Sequence, residues 1–91
     1  MIYLDYAAHA PADPAVLERF CDMERRFPAN PNSLHAAGKA AREEMARVTE
    51  QIAALTGASP PEVIFTSGAT EANNLAIKGI AQASRHIGKH I

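Results

Sequence analysis

The feature that most constrains the fold of this chain is a short apolar segment, residues 63–66 (VIFT), between a pair of prolines and a glycine-containing turn. An apolar run of this length bounded by such breakers predicts a buried strand. A turn at residues 67–70 and a helix follow it. One strand followed by one helix does not make a sheet. We therefore expect its partner strands to come from residues outside these 91, in a larger α/β fold.

The composition is that of a small globular unit with no strong bias toward one kind of partner. The chain has 91 residues and is 47% hydrophobic, which predicts one small domain with a thin core. Nine basic and ten acidic residues do not favour nucleic-acid binding. The apolar runs are too short for a membrane helix, and the N-terminus does not resemble a signal peptide. A single cysteine excludes an internal disulfide, and we expect a cytoplasmic location.

Two helices are predicted in the first 57 residues. The first begins with Asp13 as N-cap and Pro14 at the first helical position, and it ends by Pro28. The second extends from about Leu34 to Thr56 and ends at Gly57. The apolar face predicted for this second helix consists of Ala41, Met45, Val48, Ile52 and Leu55.

A third helix is predicted from about Glu71 to Ile87, with Gly88 as its C-cap. Its predicted inner face consists of Leu75, Ala76, Ile80, Ala83 and Ile87. Residues 89–91 resemble the beginning of another strand, and residues 2–5 alternate weakly enough to predict a short extended segment. The expected architecture is mostly helical, with one or two short strands and an incomplete sheet.

The turn at residues 67–70 is the best candidate for a binding site. The first amides of a helix lack intrahelical acceptors and lie at the positive end of the helix dipole, so such a turn suits a phosphate. Gly68 and Ala69 allow close approach of a ligand to the backbone, and Ser67 and Thr70 supply hydroxyl donors. The alternative on local grounds is that these small and hydroxyl residues simply cap the helix.

Three stretches of the sequence resemble one enzyme family, in order and with its spacing. The segment 64–79 (IFTSGATEANNLAIKG) closely resembles the signature of cysteine desulfurases, which belong to the class V aminotransferases. Residues 2–8 (IYLDYAA) resemble the family's opening strand, and residues 30–35 (NPNSLH) resemble the loop that enters its long helix. The resemblance covers essentially the whole chain.

The resemblance implies a pyridoxal 5'-phosphate (PLP) enzyme of fold type I, of which this chain is the N-terminal part. It implies that Ala69 and Thr70 bind the cofactor phosphate through a backbone amide and a hydroxyl. The implied reaction removes sulfur from L-cysteine, leaving alanine and an enzyme persulfide. The sulfur then passes to an iron–sulfur scaffold or another acceptor, including for nitrogenase clusters, and the whole enzyme is expected to be a homodimer.

Within such an enzyme the chain divides into three expected segments. Residues 1–31 form an extended arm and the first helix, residues 32–58 the long helix, and residues 59–91 the strand, phosphate turn and third helix. No catalytic residue is expected here, because the family's Schiff-base lysine, ring-stacking histidine, substrate-binding arginine and persulfide cysteine all come later. Lys78 matches a non-catalytic family position and is expected to be a solvated helix lysine.

Two segments depart from the family pattern. The family usually has Thr-Thr-Pro where this chain has His9, Ala10 and Pro11, and glycine where it has Ala29. Both segments lie near the substrate side of the site in the family, so they bear on the substrate and on full activity rather than on the phosphate turn.

The remaining candidates have simpler structural explanations. Cys21 is expected to be a buried structural thiol, and His35 a capping or packing residue. His86 and His90 have a metal-ligand spacing, but Gly88 between them and the lack of a third ligand argue against a metal. Charged residues from Arg42 to Glu50 indicate a solvated helix face, on which Glu43 and Arg47 form an i,i+4 pair.

Three other functions stay open on sequence grounds. One is a sister class V enzyme such as a selenocysteine lyase, which residues beyond 91 would distinguish. Another is a truncated, non-catalytic polypeptide that docks on a partner or oligomerises through its apolar helix faces. The last is a general phosphate-binding module, which would explain the turn but not the other two matching stretches.

Overall fold

The computed structural model describes residues 1–88 and His90, and these residues are mostly helical. In chain order, the elements are α1 (Pro14–Arg26), α2 (Ala36–Thr56), a 3-10 turn (Pro60–Glu62) and α3 (Ala69–Ala83). The chain divides into two compact units, Met1–Ile52 and Ala53–Ile91. Among the described residues, no helix combines the length and the apolar character needed to cross a membrane.

Helix α1 begins as its sequence predicts. The Ala15 N–H donates to Asp13 Oδ1 at 2.8 Å, and Pro14, which has no N–H, takes the first helical position without losing a bond. The helix ends at Arg26, where the Phe27 N–H donates to the Met23 carbonyl at 2.9 Å.

Helix α2 carries an ion-pair cluster within the first unit, and it is not the predicted one. Arg47 Nε donates to Glu44 Oε2 at 2.8 Å, and Arg19 of α1 approaches Glu44 Oε1 at 3.5 Å. The predicted Glu43–Arg47 pair is therefore wrong. Glu44 is one residue further round the helix, where the Arg19 guanidinium also reaches its carboxylate. Both guanidinium groups are about half exposed, so the cluster adds only modest stability.

The C-terminus of α2 confirms the predicted glycine stop. Gly57 has φ 71°, in the left-handed region that glycine adopts without steric cost. The Ala58 N–H donates back to the Ala53 carbonyl at 2.9 Å, which satisfies one of the last carbonyls of the helix.

Few side chains are buried, so the predicted helix faces are mostly uncovered. Ala41 and Ala53 are the buried hydrophobic side chains among the described residues. On the predicted apolar face of α2, Met45 is 46% exposed and Leu55 is 87% exposed. The periodicity identified an apolar face, but the described residues do not supply the surface that would cover it.

The predicted buried strand at residues 63–66 is not formed among the described residues. These residues form no strand, and Ile64 and Phe65 are 66% and 54% exposed. A strand exists only when its backbone pairs with another strand, and no described residue offers one. Residues 2–5 likewise form no strand, and the strand predicted at 89–91 falls mainly on Lys89 and Ile91, which lie outside the described residues.

Helix α3 begins two residues earlier and ends four residues earlier than predicted. Its C-cap is Ser84, whose N–H donates to the Ile80 carbonyl at 2.9 Å, so the prediction of Gly88 as C-cap is wrong. The Ile87 N–H then donates to the Ser84 carbonyl at 2.8 Å. This shorter i,i+3 bond closes a turn in place of a further turn of α-helix.

Candidate phosphate site

The turn before α3 leaves three backbone donors without an intrahelical acceptor. Gly68 is the N-cap, and the first intrahelical bond is donated by the Ala72 N–H to the Gly68 carbonyl at 3.1 Å. The N–H groups of Ala69, Thr70 and Glu71 precede that bond, and Gly68 has no side chain to accept from them. These three amides form the positive end of the α3 dipole.

The approach to these amides is open. Gly68 and its neighbours are exposed, and no heavy atom lies within 4 Å of the position that a Cβ on Gly68 would occupy. Its φ of 165° is extended backbone, so the glycine matters here for space rather than for conformation. Ala69 and Thr70, the two predicted binding residues, occupy the first two positions of α3.

The hydroxyl groups of the turn are used differently from one another. Among the described residues, the Thr70 hydroxyl has no hydrogen-bond partner, while the Thr70 carbonyl accepts from Asn74 Nδ2 at 2.8 Å. The Thr66 hydroxyl donates to the Gly68 carbonyl at 3.1 Å, which ties the start of the turn to its N-cap. Thr70 is thus the hydroxyl that a bound anion would meet.

Ser67, predicted as a second hydroxyl donor, is bonded within the protein. Its N–H and its hydroxyl both donate to Glu71 Oε2, at 2.9 Å and 2.5 Å. The hydrogen bond from the Ser67 hydroxyl, followed by that from its amide, holds the pKa of Glu71 below its usual range. Sequence analysis missed Glu71, although a serine four residues before a glutamate at a helix start resembles the capping-box pattern that signals such contacts.

The arrangement suits an anion but supplies no reacting group. Three amides and one hydroxyl suit a phosphate at a helix N-terminus. Lys78 is exposed, as predicted, and lies nine residues along α3 from Ala69, roughly 13 Å at the helical rise. It is too far along the helix to act on an atom bound at the turn.

The second motif, residues 30–35, forms a loop that folds back on α2 in the first unit. Arg42 donates from Nε to the Pro31 carbonyl at 2.9 Å and from its terminal nitrogen to the Ser33 carbonyl at 3.2 Å. Arg42 is exposed, as predicted for a solvated helix face, and its guanidinium also bonds to the loop. A guanidinium reaches two carbonyls at once because its donors form a planar fork.

His35 and Gly38 complete this loop. The Gly38 N–H donates to His35 Nδ1 at 3.2 Å, which confirms His35 as a capping residue. A Cβ on Gly38 would lie 2.5 Å from the Ser33 carbonyl oxygen and 2.9 Å from that of Asn30. Only a glycine allows the loop to lie this close to the helix.

The other candidate residues do not form a site. Cys21 is exposed, so its predicted burial is wrong: the apolar face of α1 on which it lies is itself uncovered. His86 lies in the turn after α3 and not on a helix face. The described residues contain no group of three or more side chains placed to hold a metal ion.

The departure from the family pattern at His9 lies in a closed turn. The Ala8 and His9 N–H groups both donate to the Asp5 carbonyl, at 3.1 Å and 3.2 Å, and the Tyr3 hydroxyl lies 2.9 Å from the His9 carbonyl. These contacts use the backbone of His9, so its imidazole is left for other interactions.

Comparison with known proteins identifies the family. The family model described as Aminotransferase class-V matches residues 2–91. The chain belongs to the class-V aminotransferase family. This confirms the resemblance carried by the segments 2–8, 30–35 and 64–79.

Similar curated proteins are named cysteine desulfurases. Over 99% of this chain, identity is 44% to cysteine desulfurase IscS of Azotobacter vinelandii and 47% to putative cysteine desulfurase IscS 1 of Bacillus subtilis. It is 45% to a cysteine desulfurase of Rattus norvegicus. The chain covers 23%, 24% and 20% of these relatives, so it spans about a quarter of their length or less. No solved structure matches the chain.

Proposed function

We propose that this chain is the N-terminal segment of a PLP-dependent cysteine desulfurase and that the turn before α3 binds the cofactor phosphate. The observation that carries the proposal is the set of donors at that turn. The amides of Ala69, Thr70 and Glu71 and the hydroxyl of Thr70 are open among the described residues, and the family resemblance implies Ala69 and Thr70 as the phosphate-binding residues.

The residues of the turn fit a phosphate in charge as well as in donors. The helix dipole favours an anion at the first turn, and amide donors make stronger hydrogen bonds to a charged oxygen than to a neutral one. The carboxylate of Glu71 opposes this attraction, but it accepts two hydrogen bonds from Ser67. The net arrangement favours a phosphate group held by backbone amides and Thr70.

The proposed reaction transfers sulfur from L-cysteine to a cysteine thiol of the enzyme, giving L-alanine and an enzyme persulfide. PLP supplies the electron sink for this chemistry when it is bound. The contribution of this chain is to anchor the phosphate, and the reacting lysine and cysteine come from later parts of the whole enzyme. A sulfur acceptor such as an iron–sulfur scaffold, a homodimer, and a cytoplasmic location belong to the same proposal.

The proposal also covers the fold of the whole enzyme. In a type I PLP fold, residues 63–66 pair with strands from later in the protein, and Ile64 and Phe65 become buried. The segments 1–31, 32–58 and 59–91 are then the arm with α1, the long helix, and the strand with its phosphate turn and α3. The exposed apolar faces of these helices are the surfaces on which the rest of the enzyme packs.

Replacing Thr70 tests the phosphate site. In the complete enzyme, Thr70→Ala is expected to weaken PLP binding by roughly fivefold, about the value of one hydrogen bond. Thr70→Ser keeps the hydroxyl and is the matched control, expected to bind PLP like the original enzyme. Equilibrium titration with PLP gives the affinities. Equal affinity for all three proteins would contradict the assignment of Thr70.

A sister class V enzyme is the second candidate, favoured by His9, Ala10 and Ala29 where cysteine desulfurases usually have other residues. Sequencing the gene beyond the codon for residue 91 distinguishes the candidates. An open frame with a His-Lys motif and a later cysteine loop, together with alanine release from L-cysteine, supports a desulfurase. Alanine release from L-selenocysteine but not from L-cysteine supports a selenocysteine lyase. A stop codon at that position contradicts both and leaves a non-catalytic polypeptide.

A further inference from the structure

Two serine–glutamate pairs bracket the segment that leads into α3. In the first, the N–H and the hydroxyl of Ser59 both donate to Glu62 Oε2 at 2.7 Å. In the second, the N–H and the hydroxyl of Ser67 both donate to Glu71 Oε2. We call these the Ser59–Glu62 clasp and the Ser67–Glu71 clasp. They have the same chemistry, but only the second spans the candidate phosphate turn.

The Ser67–Glu71 clasp fixes the turn at both of its ends. Glu71 lies on the first turn of α3 and Ser67 precedes the N-cap, so the two hydrogen bonds connect the helix to the incoming chain across Gly68. The Thr66 hydroxyl adds a contact to the Gly68 carbonyl. No heavy atom lies within 4 Å of the position that a Cβ on Gly68 would occupy, and the Gly68 carbonyl also accepts from the Ala72 N–H.

The clasp also determines which donors a ligand meets. Because Glu71 accepts from both donors of Ser67, that serine has no free proton to offer an anion. The Thr70 hydroxyl has no partner among the described residues, and the three first-turn amides have none within the helix. A clasp that stays closed therefore presents a constant set of donors.

We propose that Glu71 is a positioning residue for the phosphate turn: by binding Ser67 it holds the amides of Ala69 and Thr70 in place for the anion without contacting the anion itself. This inference rests on the proposed function of the turn. A preorganised set of donors binds more tightly because less ordering is needed on binding.

Two substitutions distinguish the hydrogen bonds that Glu71 accepts from Ser67 from the effect of its negative charge. Glu71→Gln removes the negative charge beside the phosphate but keeps a carbonyl oxygen that accepts from Ser67. Glu71→Ala removes the charge and the acceptor together. The difference between these two variants reports the clasp alone, because both are neutral.

The Ser59–Glu62 clasp supplies the matched control. Glu62→Ala removes the same kind of contact from the 3-10 turn, seven residues before the first residue of α3. If the effect of Glu71→Ala were only a loss of local stability, Glu62→Ala would reproduce it. Thermal unfolding of each variant verifies that the proteins compared are folded.

The experiment measures the affinity of the complete enzyme for PLP and for pyridoxal, which lacks the phosphate. We expect Glu71→Ala to bind PLP roughly fivefold more weakly than Glu71→Gln, with equal affinities for pyridoxal. We expect Glu62→Ala to leave the ratio of the two affinities unchanged.

Each other result overturns a defined part of the proposal. If the original enzyme does not prefer PLP to pyridoxal, the proposed function of the turn fails, and the inference fails with it. If it does prefer PLP but Glu71→Ala and Glu71→Gln bind it equally, only the role of Glu71 fails. The same conclusion follows if Glu62→Ala lowers the affinity ratio as much as Glu71→Ala does.

Discussion

The N-termini of α2 and α3 are opposite solutions to the same problem of unpaired helix amides. At α2, the Gly38 N–H donates to the ring of His35, and Arg42 holds the preceding loop by two carbonyls. At α3, the N-cap Gly68 has no side chain, and the amides of the first turn are open. The start of α2 is closed in part by its own residues, whereas the first-turn amides of α3 stay open among the described residues.

The difference shows why we propose an anion site at one helix start of the described residues and not at the others. Every helix start has unpaired amides and a positive dipole end, so neither property alone selects a site. Asp13 at α1 and His35 at α2 fill those positions with side-chain acceptors. At α3 the carboxylate of Glu71 is bonded to Ser67 instead.

The largest expected effect on the free energy of unfolding comes from adding a methyl group at Gly38, at the start of α2. In Gly38→Ala the new Cβ would lie 2.5 Å from the Ser33 carbonyl oxygen, so the loop must move away from α2. We expect a loss of about 1–3 kcal/mol in the free energy of unfolding, measured by urea denaturation.

Gly79→Ala is the matched control for that loss. Gly79 lies inside α3, and no atom lies within 4 Å of its Cβ position. Alanine there is expected to stabilise the protein by about 0.5–1 kcal/mol, because it replaces a glycine in a helix interior. If the two variants changed stability in the same direction, the close packing of the loop at residues 30–35 would not hold.

Adding a capping side chain at the start of α3 tests the second half of the comparison. Gly68→Asp gives α3 an acidic N-cap like that of α1, and the extended backbone at Gly68 accepts any residue. We expect the helix to gain a few tenths of a kcal/mol in stability, because the new carboxylate accepts a hydrogen bond from a first-turn amide. We expect PLP affinity to fall at least tenfold, because the same carboxylate occupies that amide and repels the phosphate.

Gly68→Ser distinguishes the loss of an amide donor from the repulsion of the phosphate, because a serine caps the helix without adding charge. We expect its loss of PLP affinity to be smaller than that of Gly68→Asp, as measured by equilibrium titration. Unchanged PLP affinity in Gly68→Asp would place the cofactor phosphate elsewhere.

Local chemistry made the helix boundaries predictable where a residue acts alone. Asp13 with Pro14 and the left-handed Gly57 mark a start and an end in the sequence, and the structure has both. His35 was expected to cap or pack, and it caps. These contacts span only two or three residues, so the sequence contains all the information needed.

Contacts that depend on several distant groups were not predictable. Arg42 reaches back eleven residues to Pro31. Glu44, which pairs with Arg47 where Glu43 was predicted to, also pairs with Arg19 of α1. The apolar segment 63–66 was expected to be a strand, but pairing needs a second strand that the described residues lack. The motif identified the first-turn residues Ala69 and Thr70 as candidates. The proposed role of Glu71 depends on its two hydrogen bonds from Ser67, which the motif does not predict.

The smallest expected effect is a pKa difference between the two clasps. Hydrogen bonds from serine lower the pKa of both glutamates, but the hydroxyl is the largest cause at Glu71 and the backbone amide is the largest at Glu62. Since the pKa of each folded carboxyl is below its usual range, each clasp stabilises the protein at neutral pH, and that contribution is lost as pH falls through the lowered pKa.

Because the hydroxyl is the largest cause only at Glu71, Ser67→Ala should raise the pKa of Glu71 more than Ser59→Ala raises that of Glu62. Carboxyl carbon shifts followed by NMR across an acid titration measure both. A larger change at Glu62 would mean that the Ser67 hydroxyl does not hold Glu71, and the phosphate turn would then lose the contact proposed to position it.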